Sequence, residues 1–394
     1  MHSAIRNNKI WYLILAIAIP STLLLQYCAK YQILPFTNYY IPDSVHYELN
    51  VFNEKGRGGL SDGFDLFNSW IYFFGPQSFT LYNSLVLFGA LYFCRVFEDI
   101  SPKAVYYARA SIVLNPYLLL SIAGPTKECN LTFFALGAIY FFLKGSAPYR
   151  VLGILMGVLP MFIRPQFGML TLIGLSCYLA LKVIKSPVLL CLLILSTYFF
   201  LNAIPAVNSF LISEQGEGLQ YYQTSNFYAI ALVLLEMSKN PLLQIVGFFI
   251  KVVLVMFVPV VRPNPIGTVL PLLDVGYTFM AYFLFPLNFA FILLFFNGKR
   301  LRAPQLSIKI QLLIVYCFIG IMSVIISSMM QFRYLFPYLP IMAACFYLHN
   351  VKVRNRIIAL SMLVVVIAFV GTFLFFPKAM ELEFDTGPFF VSWL

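Results

Sequence analysis

The chain has 394 residues, of which 61% are hydrophobic and 10% charged, with a formal net charge of +11 and a mean hydropathy of +0.85. No soluble core of this length requires so apolar a composition. The positive charge lies mostly in short loops between apolar runs of about 20 residues, the signature of cytoplasmic loops in a membrane protein, and this excludes the nucleic-acid partner that the net charge would otherwise indicate.

Such runs recur from one end to the other. They predict an all-α fold: a polytopic integral membrane helical bundle of about eleven to thirteen spans, with residues 1–394 forming a single multi-pass transmembrane domain. The cysteines (Cys28, Cys94, Cys129, Cys177, Cys191, Cys317 and Cys345) are scattered in or beside apolar runs without a CxxC spacing. They read as reduced packing residues rather than as a disulfide framework or a thiolate metal site.

The first span runs from about Ile10 to Ala29 behind Arg6 and Lys9. It is longer than the apolar region of a signal peptide and no A-x-A site follows, so it reads as an anchor with a cytoplasmic N-terminus. Residues 30–78 then form a long first extracytoplasmic loop carrying Asp43, His46, Tyr47, Glu48, Asp62 and Asp65, interleaved with aromatic residues. Loops beyond ~12–15 residues are usually functional or disordered, and the aromatic content predicts packing on the membrane face. Asp62-Gly63 reads as a turn within this loop.

Further spans are expected from about Phe79 to Phe93, Ala104 to Ile122, Cys129 to Leu143, Val151 to Ile163, Phe167 to Leu181 and Pro187 to Asn202. Their cytoplasmic landings carry Lys or Arg and their outward landings carry fewer. Gly124-Pro125-Thr126-Lys127-Glu128 is one outward junction: Gly-Pro ends one helix and the following residues begin the next. An adjacent Lys and Glu are costly at such a place unless they meet water, each other or a ligand. The competing reading is an ordinary polar turn that caps two helices.

Residues 203–242 form a second extracytoplasmic loop or interfacial region, and the path through 203–273 is open between a crossing and a re-entrant hairpin. Both routes leave Arg262 outside. Asp274 to Phe296, Ile310 to Ile326, about Leu335 to Leu348 and Ile357 to Phe376 complete the spans, with Arg333-Tyr334 at an outward junction and an acidic, extracytoplasmic C-terminus.

Asp43, Glu48, Lys127, Glu128, Arg164, Arg262 and Arg333 thus all fall on one outer face. Such a cluster suits an anionic lipid headgroup, because Arg offers planar, bidentate contacts to phosphate oxygens. The alternative for Arg164 and Arg333 is snorkelling from helix ends, and for the tyrosines an interfacial aromatic belt.

Four stretches together carry a resemblance: Ile41-Pro42-Asp43-Ser44-Val45-His46-Tyr47, Gly124-Pro125-Thr126-Lys127-Glu128, Ile163-Arg164-Pro165-Gln166, and Phe332-Arg333-Tyr334-Leu335-Phe336-Pro337-Tyr338-Leu339-Pro340. In this layout the chain resembles the C-type glycosyltransferases and Wzy-type repeat-unit polymerases of O-antigen, capsule and exopolysaccharide assembly. The resemblance implies a bacterial inner-membrane enzyme that takes a polyprenyl-linked saccharide donor and a saccharide acceptor at the outer face, with membrane lipid around it. A polysaccharide flippase and a chain-length regulator are the partners it implies. Lys127, Arg164 and Arg333, with Arg262 next, would stabilise the charge on the phosphate leaving group. Asp43 or Glu128 would serve as base, with His46 assisting, and Tyr47 and Tyr334 would stack on sugar rings. The first-loop motif holds one acidic residue, Asp43, where many members hold two, so use of a divalent cation is left open and no metal ligand is assigned. A transporter or flippase for a lipid-linked saccharide, or a non-catalytic subunit of a polysaccharide assembly machine, are the alternatives. A transporter would be expected to show paired repeats, which are not evident.

Overall fold

The structure, a computed structural model, describes residues 2–30, 62–73, 75, 77–205, 207–209, 228–257, 285–295, 307–326 and 332–375. Among these residues the fold is helical and contains no strand. Among the described residues three helices are long and apolar enough to cross a membrane, Ser78–Asp99, Pro165–Ile184 and Ile308–Ile325. Shorter apolar helices accompany them, among them Lys9–Leu24 and Ala147–Ile163.

Several helices begin where local chemistry dictates. Ser101, Asn115 and Ser186 each stand before a proline at the first helical position and accept a hydrogen bond from the backbone of Ala104, Leu118 and Leu189 respectively. The side-chain oxygen satisfies an orphan N–H, and the proline lacks one to orphan. In chain order the first helices are α1 (His2–Lys30), α2 (Asp62–Tyr72) and α3 (Gln77–Phe93), the last continuing as a 3-10 helix over Cys94–Asp99. Next come α4 (Pro102–Val113), α5 (Pro116–Leu120), α6 (Lys127–Lys144), α7 (Ala147–Val158), α8 (Pro160–Ile163), α9 (Pro165–Ile184) and α10 (Pro187–Asn202). Then follow α11 (Tyr228–Ser238), α12 (Pro241–Phe257), α13 (Phe285–Phe295) and α14 (Ile308–Ile326). A 3-10 helix over Phe332–Tyr338 leads into α15 (Leu339–Cys345), and α16 covers Val351–Phe375.

Several of the expected elements differ: the span expected over Val151 to Ile163 divides into α7 and α8, and Leu335 to Leu348 alternates between 3-10 and α-helix. The span expected over Ala104 to Ile122 breaks at Leu114, because Asn115-Pro116 starts a new helix there. Asp62-Gly63, expected as a turn, opens α2 instead. Its apolar residues buy that helix a place in the bundle, with Phe64 fully buried and α2 packed on α3 and α8.

The core is built around α6 and α14. Helix α6 packs against α3, α7 and the 3-10 helix at Phe332–Tyr338, while α14 packs against α9, α10 and α12. The two are tied by Tyr316, whose buried hydroxyl donates to Ala135 O at 3.3 Å and lies 3.4 Å from Thr171 Oγ1. Gly153 lets the α6 and α7 backbones approach: a Cβ there would stand 2.7 Å from Phe142 N and 2.8 Å from Ala138 O, the use of small residues that tightly packed membrane helices make. Lys309, at the start of α14, pairs with Asp99 at 2.9 Å. Cys94, Cys129, Cys177, Cys191, Cys317 and Cys345 are all buried in this packing.

Candidate functional site

The junction between α5 and α6 is held from outside its own sequence. Pro125 has no N–H, so the Ser121 carbonyl loses the donor that a continuing helix would have supplied. Asn83 of α3, 1% exposed, fills the gap. Its amide nitrogen donates toward Ser121 O and Ile122 O at 3.2 Å and Gly124 O at 2.8 Å. Thr126 Oγ1 also donates to Ser121 O at 3.1 Å. On the other side of the turn, Asn130 donates to Thr126 O at 3.0 Å and accepts from the Tyr82 hydroxyl at 2.5 Å. Two neighbouring residues of α3 therefore clamp both sides of Gly124-Pro125-Thr126.

Lys127 and Glu128 follow as the first turn of α6. Glu128 is 8% exposed. Lys127 places its ammonium 5.1 Å from the centroid of the Phe64 ring. Gly63, next to Phe64, lies so close to α8 that a Cβ would stand 2.5 Å from Phe162 O. Two residues beyond Phe162, Arg164 caps α9 in an extended conformation. Its guanidinium carbon lies 3.7 Å from the Tyr334 ring centroid, in the 3-10 segment that packs against α6.

Lys127 and Glu128 thus open the helix on which the 3-10 segment of Tyr334 packs, and Tyr334 in turn carries Arg164. Stacking occupies a face of the guanidinium and leaves its N–H edge for oxygen acceptors. Among the described residues Arg164 makes no ion pair.

Compared with known proteins, the chain matches no family model, no curated protein and no solved structure.

The side chains of the remaining expected site residues are not among those described. Asp43, His46, Tyr47 and Arg262 lie outside the described residues. The backbone of Arg333 belongs to the 3-10 helix beside Tyr334, while its side chain lies outside the description. Among the described residues no group of three His, Cys, Asp or Glu side chains is placed to hold a metal ion.

Reasoning from charged residues missed Asn83, Asn130 and Tyr82, the groups that shape the junction. The available signal was an uncharged amide inside each of two apolar runs, a group that a buried environment forces into hydrogen bonds. It also missed Arg109, which is 5% exposed near the opposite end. Arg109 Nε donates to Leu91 O at 2.9 Å and Nη2 to the Tyr12 hydroxyl at 3.2 Å. Leu91 stands three residues before the change to a 3-10 register at Cys94.

Proposed function

We propose that the chain is a membrane glycosyltransferase of cell-surface polysaccharide assembly, which passes a sugar or repeat unit from a polyprenyl phosphate or diphosphate to a saccharide acceptor. In this reading it crosses the inner membrane about eleven to thirteen times, with its N-terminus cytoplasmic and the end bearing Lys127 and Arg164 at the outer face.

The observation that carries the reading is the contact series from Lys127 to Phe64, from Gly63 to Phe162, and from Arg164 to Tyr334. In this reading cations from separate helices gather at one bundle end on rigid supports, as stabilisation of a phosphate leaving group requires. In the transfer, the acceptor hydroxyl oxygen bonds to the anomeric carbon as the bond from that carbon to the phosphate oxygen breaks. The electron pair stays on the phosphate, opposite Lys127 and Arg164 with Arg333 and Arg262 joining them, and the hydroxyl proton goes to Asp43 or Glu128, with His46 assisting. Tyr334 and Tyr47 offer ring faces to the sugar.

The test is transfer by reconstituted protein from a polyprenyl-linked saccharide, followed by chromatography of the lipid products with and without chelator. Asp43→Asn, Arg164→Ala and Arg333→Ala are each expected to lower turnover by roughly 10²-fold or more at normal expression. Wild-type turnover in Asp43→Asn and Arg333→Ala would refute the assignment.

A further inference from the structure

The end of the bundle opposite Lys127 and Arg164 carries a second set of cations. Helices α6, α7 to α8, and α9 each have a site residue at or beside one end and a cation near the other: Lys127 and Lys144, Arg164 and Arg150, Arg164 and Lys182. At 1.5 Å per residue the 18 residues of α6 set the two ends about 27 Å apart, close to the ~30 Å of a bilayer's hydrocarbon core.

These distal cations rest on aromatic rings. Lys144 lies 4.8 Å from the Tyr140 centroid and 4.5 Å from that of Tyr149. Arg150 and Lys182 share the Tyr178 ring, at 5.5 and 5.0 Å. The chain contains no Asp or Glu between Glu128 and Glu214, so no carboxylate in these helices or their loops neutralises them. Two other cations near this end are paired, Arg95 with Glu98 and Lys309 with Asp99. Arg150 Nε is buried without a hydrogen-bond partner among the described residues. Along the same two helices the surface is apolar and open, with Val151, Leu155 and Leu179 exposed and Val183 82% exposed.

We infer that Arg150 and Lys182, with Lys144 beside them, bind the headgroup of an anionic phospholipid at the interface opposite the sugar-transfer site. The phosphate meets the unpaired cations, and the acyl chains lie along the exposed apolar faces of α7 and α9. Basic pockets between membrane helices recognise anionic headgroups in this way. A zwitterionic lipid would bring a cation of its own to the same place and lose the advantage. The inference does not depend on sugar transfer.

The experiment counts lipids retained by the full-length purified protein in native mass spectrometry, after incubation in detergent with phosphatidylglycerol or phosphatidylcholine. Wild type should retain phosphatidylglycerol preferentially, and the double variant Arg150→Gln, Lys182→Gln should lower that preference roughly 10- to 30-fold. Lys239→Gln, at a cation already paired with Glu236, should leave it unchanged. Should the double variant fail to fold, the wild-type preference must decline as salt rises from about 0.05 to about 0.5 M, since screening weakens a headgroup contact. A preference unaltered in a folded double variant, or unmoved by salt, would overturn the inference.

Discussion

Replacing Asn83 should loosen the junction that positions Lys127 and Glu128. Asn83→Leu keeps the volume nearly constant and removes the amide that faces Ser121 O, Ile122 O and Gly124 O. An amide nitrogen carries two hydrogens, so the loss is about two full hydrogen bonds shared among three acceptors. Ser121 O keeps the Thr126 hydroxyl, and the cost falls on the carbonyls of Ile122 and Gly124. At ~1–3 kcal/mol per orphaned buried group, the variant should lose about 2–6 kcal/mol. The smaller average for polar contacts between membrane helices, ~0.6 kcal/mol, sets a floor of about 1 kcal/mol. A loss above that floor is expected because Pro125 has no N–H with which to continue the helix through the turn and satisfy its carbonyls. Asn83→Asp is the sharper variant, since it keeps the shape and turns a donor into an acceptor against three oxygens. Its loss should be at least as large. Unfolding by dodecyl sulfate titration in mixed micelles, followed by far-ultraviolet circular dichroism, measures both. Losses below about 0.5 kcal/mol for the two variants would show that Asn83 does not hold the turn.

Gly63→Ala should destabilise by about 1–3 kcal/mol, because the added Cβ meets the carbonyl oxygen and Cα of Phe162 at 2.5 and 3.2 Å, backbone atoms that cannot swing aside. An unchanged thermal midpoint would contradict the packing of α2 on α8. Tyr334→Phe should preserve sugar transfer, since the ring under Arg164 remains, whereas Tyr334→Leu should reduce it roughly 2- to 30-fold through loss of a cation–π contact of ~0.5–2 kcal/mol. Equal rates in the Phe and Leu variants would remove stacking from the account.

The amino-acid sequence by itself determined the helical, membrane-compatible class and many helix starts. Ser101-Pro102 and Ser186-Pro187 each contain the whole of their N-terminal signal within a few residues. The segment expected from Pro187 to Asn202 has those bounds in the structure for the same reason. Asn115-Pro116 carried an equally local signal, but the apolar run around it hid the break. What only the tertiary structure decided is which distant groups meet. Asn83 reaches carbonyls about forty positions away, and Arg164 finds its ring on Tyr334. Hydropathy hardly registers an uncharged amide, and neither pairing follows from spacing along the chain. Both depend on where helices cross, which close packing around α6 and α14 sets by the shapes of many side chains at once.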